Sequence, residues 1–311
     1  MDVGSRGNRT FLYLLVVQIA IGMSLVWYST VWGAGLISDS FQYAASARNF
    51  ARGNGFSLPY GDGELQPMTK YPPLFSVVLA SVELLGGSAV QGARIINIVL
   101  FGVNIFLVFL SIQKLTTSKL FALLGSALFA LSFVLVEVHS WALSEPLYIC
   151  LGLTSFLVLQ NYFEELQAAW LVFSALAVSL AFLTRYVGLS LVVSIVVILL
   201  LNRLEMKQKL RDSLSFCLIA ILPAALWTLR GYLLTQTLND RTIGLHPLTI
   251  RNVVNAIDVL YGWLVPVSFV QGREKIFLLL TAAALTAVIL LLVRSNRSWL
   301  NDLVQAPGPR T

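Results

Sequence analysis

Four charged side chains stand at the ends of long apolar runs, where a chain with few charges can place its chemistry. Asp39 lies in LISDSFQYAASARNFARGNGFSLPYGDG, just beyond the first apolar run, and Glu145 lies in LSEP. A carboxylate can accept a proton or bind a metal ion. Lys70 in TKYPP and Arg185 in LTRYVG carry cations that suit a phosphate group. Polar chemistry is therefore expected where the apolar segments end.

The composition is that of a polytopic membrane protein. Hydrophobic residues make up 57% of the 311 residues and charged residues 12%, and the mean hydropathy is +0.80. A spanning helix needs about 20 apolar residues, and the chain offers roughly eight such runs joined by short loops. We therefore expect an all-α integral membrane protein, a polytopic bundle of about eight transmembrane helices, with residues 1–311 forming a single membrane-embedded domain.

The predicted spans follow the apolar runs, and the loops between them carry the charges. The spans are expected near residues 11–33, 94–112, 121–138, 146–162, 170–184, 186–201, 214–235 and 276–293. Residues 299–311 are expected to form a flexible tail. Pro72 to Gly87 is interpreted as a segment that lies at the interface or dips into the membrane and returns, and Leu248 to Val270 as a helix on the membrane surface. If exactly one of them spans instead, the downstream topology reverses.

Basic residues indicate the orientation of the chain. They concentrate before the first span, in QKLTTSK, in NRLEMKQKLR and in the tail, and an even number of spans puts all of these on one side. The positive-inside rule makes that side the cytoplasm. The net charge of +6 is thus an orientation signal and not a sign of nucleic-acid binding. We expect a multi-pass protein of the cell membrane with both termini cytoplasmic.

The long loop 34–93 then lies outside and is expected to contain juxtamembrane helices. DSFQYAASARNFAR predicts a short helix, with Ser38 as N-cap, Asp39 in the first turn, and Gly53 and Gly55 at its end. Tyr43 should share the side of Asp39, whereas Arg48 should lie on the opposite side. GDGE, residues 61–64, is interpreted as a glycine turn.

Several segments together resemble the GT-C glycosyltransferases. They are SDSFQYAASARNFARGNGFS, KYPPLFSVVLASVELLGG, ARIINIVLFGVNIFLV, LSEPLYICLGL, LTRYVGLSLV and LRGYLLTQTLNDRTIGLHPLTIRNV. This superfamily includes the lipid A aminoarabinose transferase, the protein O-mannosyltransferases of glycosyltransferase family 39 and the bacterial RgtA/B/C/D-like enzymes. The resemblance covers most of the chain and implies a GT-C-like membrane fold.

The resemblance also implies a reaction. A sugar would pass, with inversion, from a polyprenyl-phosphate carrier to a lipid, glycan or protein acceptor at the face of the membrane towards the periplasm or cell exterior. Asp39 corresponds to the loop acid of the family and is expected to act as general base or as a metal ligand. Glu145 is expected to bind metal or acceptor, and a divalent cation, Mg²⁺ or Mn²⁺, is the cofactor that these two carboxylates suggest. Lys70 and Arg185 are expected to bind the donor phosphate.

For several other side chains, more than one role is open. Tyr43, Tyr71 and His139 are candidates for substrate contact, although His139 also suits a structural role inside the bundle. Arg185 alternatively pairs with an outer-face acid. Glu83 is expected to be interfacial or paired, with Arg94 as a partner.

Two other functions compete with the enzyme. A transporter or lipid flippase would suit any polytopic protein of this size, but such proteins place charges at the bilayer midplane, and here charges avoid the middles of the predicted spans. A non-catalytic GT-C-like subunit is the third hypothesis, and its only support is that the family's enzymes often add a soluble C-terminal domain that these residues do not contain. The presence of Asp39, Lys70 and Glu145 favours the enzyme.

Overall fold

The protein is described from a computed structural model, which covers residues 3–61, 63–236 and 249–264. Helices dominate it, and they follow in chain order as α1 (Val3–Ser29), α2 (Ser38–Ala51), α3 (Leu74–Leu84), α4 (Ala89–Thr116), α5 (Lys119–Leu131), α6 (Phe133–Ser140), α7 (Glu145–Glu165), α8 (Ala168–Thr184), α9 (Leu189–Leu201), α10 (Met206–Thr235) and α11 (Ile250–Leu264). Between α2 and α3 a hairpin pairs β1 (Ser57–Tyr60) with β2 (Glu64–Pro67) in antiparallel register.

Four of the described helices are long and apolar enough to cross a membrane, and a bent pair raises that number to five. They are Thr10–Ser29 of α1, then α4, α7 and α10, with α5 and α6 forming the pair, bent by 56°. These helices coincide with five of the predicted spans. The break falls at Ser132, whose extended backbone (φ −66°, ψ 119°) interrupts the helical hydrogen bonds. A helical membrane fold is thereby confirmed.

The remaining predicted spans have different outcomes. Residues 170–184 and 186–201 are apolar helices, but α8 and α9 have 17 and 13 residues and are shorter than a full crossing. The segment 276–293 and the tail 299–311 lie outside the described residues. A total of eight spans remains a prediction.

The helices pack around separate apolar cores. Within the bundle, α7 to α10 enclose a core that includes Leu159, Ile195 and Phe216, and α1, α4 and α6 enclose another around Val26 and Phe101. A third core lies at the end of the bundle that carries α2. There Tyr43, Met68, Phe75 and Ala93 are buried between α2, α3 and the start of α4. This third core determines where the first loop lies relative to the spans.

The loop 34–93 is a packed structure that contains the helices α2 and α3 and one unexpected hairpin. As predicted, α2 starts near Asp39 and the chain turns at Gly53 and Gly55, with φ of 82° and 67°. Tyr43 is buried in the core. Ser38 is the first helical residue, so its predicted role as N-cap falls to Ile37. Gly61 and Gly63 have positive φ of 49° and 95°, as a glycine turn requires, but the flanking strands were not predicted.

Glu83 is paired, which was one of its two predicted alternatives, but the partner is Arg48 and not Arg94. Glu83 accepts a hydrogen bond of 2.7 Å from the backbone N–H of Ala89, at the start of α4, and its Oε1 lies 3.9 Å from Nε of Arg48. Arg94 instead packs over the ring of Trp27, 4.4 Å from the centroid, and its Nε donates to Thr30. Glu83, near the end of α3, thus caps an N–H group at the start of α4 that has no partner within that helix.

The predicted amphipathic helix after residue 248 is observed as α11. Ile250, Val253, Val254 and Ile257 of this helix are exposed, and α11 contacts α6. Apolar side chains left exposed at helical spacing are typical of a helix that lies on a membrane surface. That location remains a prediction.

Candidate active site

Asp39 is placed in the first turn of α2 by a short connection that is tied to the bundle. The backbone N–H of Gly35 donates to Ser140 O and the N–H of Ala142 donates to Gly35 O, both at 2.9 Å. A side chain at residue 35 would not fit, because a Cβ there would lie 2.8 Å from the indole of Trp141. The start of α2 is therefore held against the segment that leads into α7.

The carboxylate of Asp39 accepts a hydrogen bond of 2.6 Å from the hydroxyl of Tyr71, at Oδ1. Tyr71 is only 4% exposed. Its ring packs against Tyr43, with centroids 5.1 Å apart, and its backbone carbonyl accepts a hydrogen bond of 3.2 Å from the indole of Trp227 on α10. The ring of Tyr71 is thus held by α2, and its backbone is held by α10.

Glu145 and Arg185 form an ion pair on the other side of the site. Nη1 of Arg185 lies 2.6 Å from Oε1 of Glu145 and also donates to the hydroxyl of Ser144 at 3.3 Å. Ser144 shares a hydrogen bond of 3.1 Å with the hydroxyl of Tyr43. The ion pair that was one alternative for Arg185 is therefore observed, and its acid is Glu145; the side of the membrane on which it lies stays a prediction.

Tyr43 is a neutral group that contacts both Ser144 and the ring of Tyr71. Burial raises the pKa of its phenol to about 12, against a smaller opposing effect of the Ser144 hydrogen bond. Its hydroxyl therefore keeps its proton across the physiological pH range. The hydrogen bond that Tyr43 shares with Ser144 is therefore not changed by titration of the phenol in that range.

A glycine makes the turn after α8 tight enough to bring Arg185 into the site. Residues Tyr186–Gly188 form a short 3₁₀ turn between α8 and α9. A Cβ at Gly188 would lie 2.5 Å from the Cα of Phe182, so a larger residue would push the turn away from α8. The turn gives Arg185 an extended backbone and directs it towards the start of α7.

These side chains surround a small cavity of about 130 Å³. It is lined by Asp39, Tyr43, Tyr71, Pro72, Arg185, Tyr186 and Val187. A carboxylate and a guanidinium thus share one concave space. Such a pair can remove a proton from a bound hydroxyl and bind the negative charge of a departing group.

Lys70 and His139 differ in their relation to this cavity. Nζ of Lys70 lies 5.3 Å from the ring centroid of Tyr71, so the ammonium sits on the residue that contacts Asp39. His139 is 1% exposed and is bonded to Asn104 at 3.1 Å and to Leu135 O at 2.7 Å. The structure does not bring His139 to the cavity, and its surroundings are those of a buried structural group.

An apolar groove of about 370 Å³ lies between α8 and α10, near the cavity. Its lining consists of Phe182, Ile221, Ala224, Ala225, Thr228, Leu229 and Tyr232. The rings of Phe182 and Tyr186 contact each other with centroids 6.5 Å apart, and Tyr186 also lines the cavity. One aromatic pair therefore joins an apolar groove in the spanning region to the polar cavity.

Sequence reasoning missed the residues that support the site. Ser144 and Tyr186 are direct neighbours of Glu145 and Arg185, so proximity in the chain was an available signal. Trp227 lies on α10, far along the sequence, and no local pattern connected it with Tyr71.

No group of three His, Cys, Asp or Glu side chains that could hold a metal ion is found among the described residues. Oε2 of Glu145 is buried and has no hydrogen-bond partner within that part of the chain. A carboxylate oxygen without a hydrogen-bond partner is a suitable ligand for a divalent cation.

Comparisons with known proteins agree with this architecture. The sequence model of the dolichyl-phosphate-mannose-protein mannosyltransferase family matches residues 70–227, half of the chain. The matched range includes Lys70, Glu145 and Arg185, and Asp39 lies before it. An uncharacterized protein of Aquifex aeolicus (strain VF5) is 26% identical over 177 residues, which are 57% of this chain and 34% of that protein.

The fold is similar to that of a solved membrane protein. The crystal structure of the Archaeoglobus fulgidus oligosaccharyltransferase in its apo form matches with a TM-score of 0.50 at 15% sequence identity, over 97% of this chain. The chain spans 40% of that protein and about a third of the Aquifex protein.

Proposed function

Because the chain belongs to the dolichyl-phosphate-mannose-protein mannosyltransferase family of GT-C membrane glycosyltransferases, we propose that it transfers a sugar from a polyprenyl-phosphate carrier to an acceptor hydroxyl. The observation that carries the proposal is the cavity shared by Asp39 and Arg185. The reaction needs a base for the acceptor and a cation for the phosphate, in a place that a lipid can reach. The cavity, with the apolar groove beside it, supplies these three features.

The reaction is a single displacement. The acceptor hydroxyl gives its proton to Asp39 while its oxygen forms a bond to the anomeric carbon. The bond from that carbon to the carrier phosphate breaks, and the phosphate leaves with the electron pair. Attack opposite to the leaving phosphate inverts the anomeric configuration. The products are the glycosylated acceptor and the free polyprenyl phosphate.

The donor phosphate would bind at Arg185 and Lys70. A cation that faces a low-dielectric space stabilises a phosphate far more than it would in water. The polyprenyl chain would lie in the apolar groove between α8 and α10, whose lining is almost wholly hydrocarbon. The contact of Phe182 with Tyr186 supports this placement, since it brings the two ends of one amphiphilic ligand together.

Glu145 would hold Arg185 in place and bind the acceptor or a divalent cation. Asp39 and Oε2 of Glu145 are the oxygens that would hold Mg²⁺ or Mn²⁺. The ion would supply additional positive charge for the leaving phosphate. Loss of turnover in chelator, restored by Mg²⁺ or Mn²⁺, is the result expected if the ion takes part.

The orientation is also part of the proposal. The cavity would face the periplasm or cell exterior, because the basic loops lie at the other end of the spans. The acceptor is then a lipid, glycan or protein at that face. The single membrane-embedded domain would contain the whole donor site, with the loop 34–93 contributing Asp39 and Lys70.

The decisive experiment is reconstitution of the full chain in lipid vesicles with a panel of polyprenyl-phosphate sugars and acceptors. Release of free polyprenyl phosphate is measured together with transfer of labelled sugar. Asp39→Asn keeps the shape of the side chain and should lower turnover by the 10²–10⁴-fold typical of a lost general base. Asp39→Glu keeps the proton acceptor and should retain some activity.

Two outcomes would reject the proposal. A fully active Asp39→Asn variant would remove the catalytic assignment. Movement of an intact carrier or sugar across the bilayer, with no cleavage of the sugar–phosphate bond, would instead support a transporter or flippase.

A further inference from the structure

We infer that Tyr71 is a positioning residue that fixes Asp39 and Lys70 relative to each other. The inference rests on the proposed function and adds to it a residue that would act through two others. The hydroxyl of Tyr71 donates to Oδ1 of Asp39 at 2.6 Å. The face of the same ring carries the ammonium of Lys70, 5.3 Å from the centroid. One rigid side chain therefore contacts both a carboxylate and a cation.

The ring is held independently of its two partners. Tyr71 is 4% exposed, and its ring packs at an interplanar angle of 56° against Tyr43, which is itself buried. Trp227 fixes the backbone at Tyr71 through the hydrogen bond to its carbonyl, and Pro72 follows directly. The phenol is thus a fixed reference point, whereas Asp39 and Lys70 belong to different segments of the first loop.

Each contact has a separate consequence. A hydrogen bond to Oδ1 restricts rotation of the carboxylate and leaves Oδ2 as the oxygen that takes the acceptor proton. A cation over an aromatic face is held without a counter-charge, so the ammonium of Lys70 keeps its attraction for a phosphate. The length of the phenol sets the separation of base and cation, which a displacement reaction requires to be constant.

Substitution can separate the two contacts. Tyr71→Phe removes the hydroxyl and keeps the ring, so kcat should fall about 10- to 100-fold, the effect of a hydrogen bond to a charged group, while KM for the carrier stays unchanged. Tyr71→Leu removes the ring as well. It should lower kcat similarly and also raise KM for the carrier, because Lys70 loses its support.

The matched control is Tyr162→Phe. Tyr162 also donates a hydrogen bond to a carboxylate, that of Asp212, but it does so among α7 and α10 at the opposite end of the bundle. Loss of that hydroxyl should lower thermal stability and leave kcat and KM of the folded enzyme unchanged. A purely structural role for Tyr71 would give the same pattern in Tyr71→Phe and would overturn the inference.

A double-mutant cycle provides the sharper test. In an Asp39→Asn background, Tyr71→Phe should reduce the residual rate by less than about threefold, because it acts only through the missing carboxylate. A further loss as large as in the wild-type background would overturn the inference. If Asp39→Asn is inactive and Tyr71→Phe is fully active, only the role of Tyr71 fails. If Asp39→Asn is itself fully active, the proposed function fails with it.

Discussion

Arg185 and Glu145 form an ion pair across the start of α7, with Nη1 and Oε1 2.6 Å apart and side chains that are 30% and 29% exposed. Both residues are candidates for direct roles in the reaction, so the pair raises the question of which one serves the other. A guanidinium has donors beyond the one that holds the carboxylate, and these remain for a phosphate. The arrangement favours a role for Glu145 in orienting Arg185 towards the donor.

Neutralising the two partners of this pair should have different effects on carrier binding. Arg185→Gln removes a cation from the cavity and should weaken the affinity for polyprenyl phosphate about tenfold, equal to about 1.4 kcal/mol. Glu145→Gln leaves that cation charged and should preserve the affinity while lowering turnover. Titration of each variant with the carrier, in detergent or nanodiscs, measures its affinity. Equal loss of affinity in the two variants would show that the intact pair, and not the guanidinium, is the binding group.

Lys70 should contribute to donor binding through its charge alone. Lys70→Gln keeps most of the side-chain length and should raise KM for the carrier, whereas Lys70→Arg should stay close to wild type because the cation remains over the Tyr71 ring. Initial rates of carrier release at several donor concentrations check this. Arg52 is another cation of the first loop and lies at the end of α2, so Arg52→Gln is the matched control and should leave KM unchanged. Unchanged KM in Lys70→Gln would place the phosphate elsewhere.

The apolar groove should select for the lipid part of the donor. Ala225→Phe adds a ring to the groove lining and should weaken binding of a long polyprenyl phosphate several-fold, because the side chain occupies part of the 370 Å³. A short, water-soluble carrier analogue should bind as before. The control is Leu226→Phe, since Leu226 is 56% exposed and lies outside the groove lining. An equal loss of affinity for long and short carriers would show that the groove does not bind the lipid part of the donor.

The two ends of the bundle should differ in access to an impermeant thiol reagent. Cys150 and Cys217 lie in helices α7 and α10, and they are first replaced by serine. A cysteine in place of Tyr60, at the exposed end of β1, should react in intact cells, and one in place of Lys207, at the start of α10, should react only after permeabilisation. Labelling at position 207 from outside would show that the orientation is the opposite of the predicted one and that the cavity faces the cytoplasm.

The sequence by itself determined the elements and the class of the protein. A long apolar run that crosses a bilayer forms a helix, because its backbone N–H and C=O groups find no water in hydrocarbon and must bond within their own segment. That constraint is local, and five predicted spans agree with observed helices or the bent pair. The start of α2 was predicted to within one residue, and its glycine-rich end was predicted as well, since positive φ depends on adjacent residues.

Only the tertiary structure decided which charged side chains lie in contact. Asp39, Tyr71 and Arg185 belong to three segments that are far apart in the chain, and their contacts depend on how α2, α7, α8 and α10 pack. The same packing places Glu83 beside Arg48 and not beside Arg94, and it buries His139 beside Asn104. Residue types and spacing limit which partners are chemically suitable, but the choice among them depends on distances of a few ångströms. Those distances follow from side-chain packing across the whole bundle, which no local pattern contains.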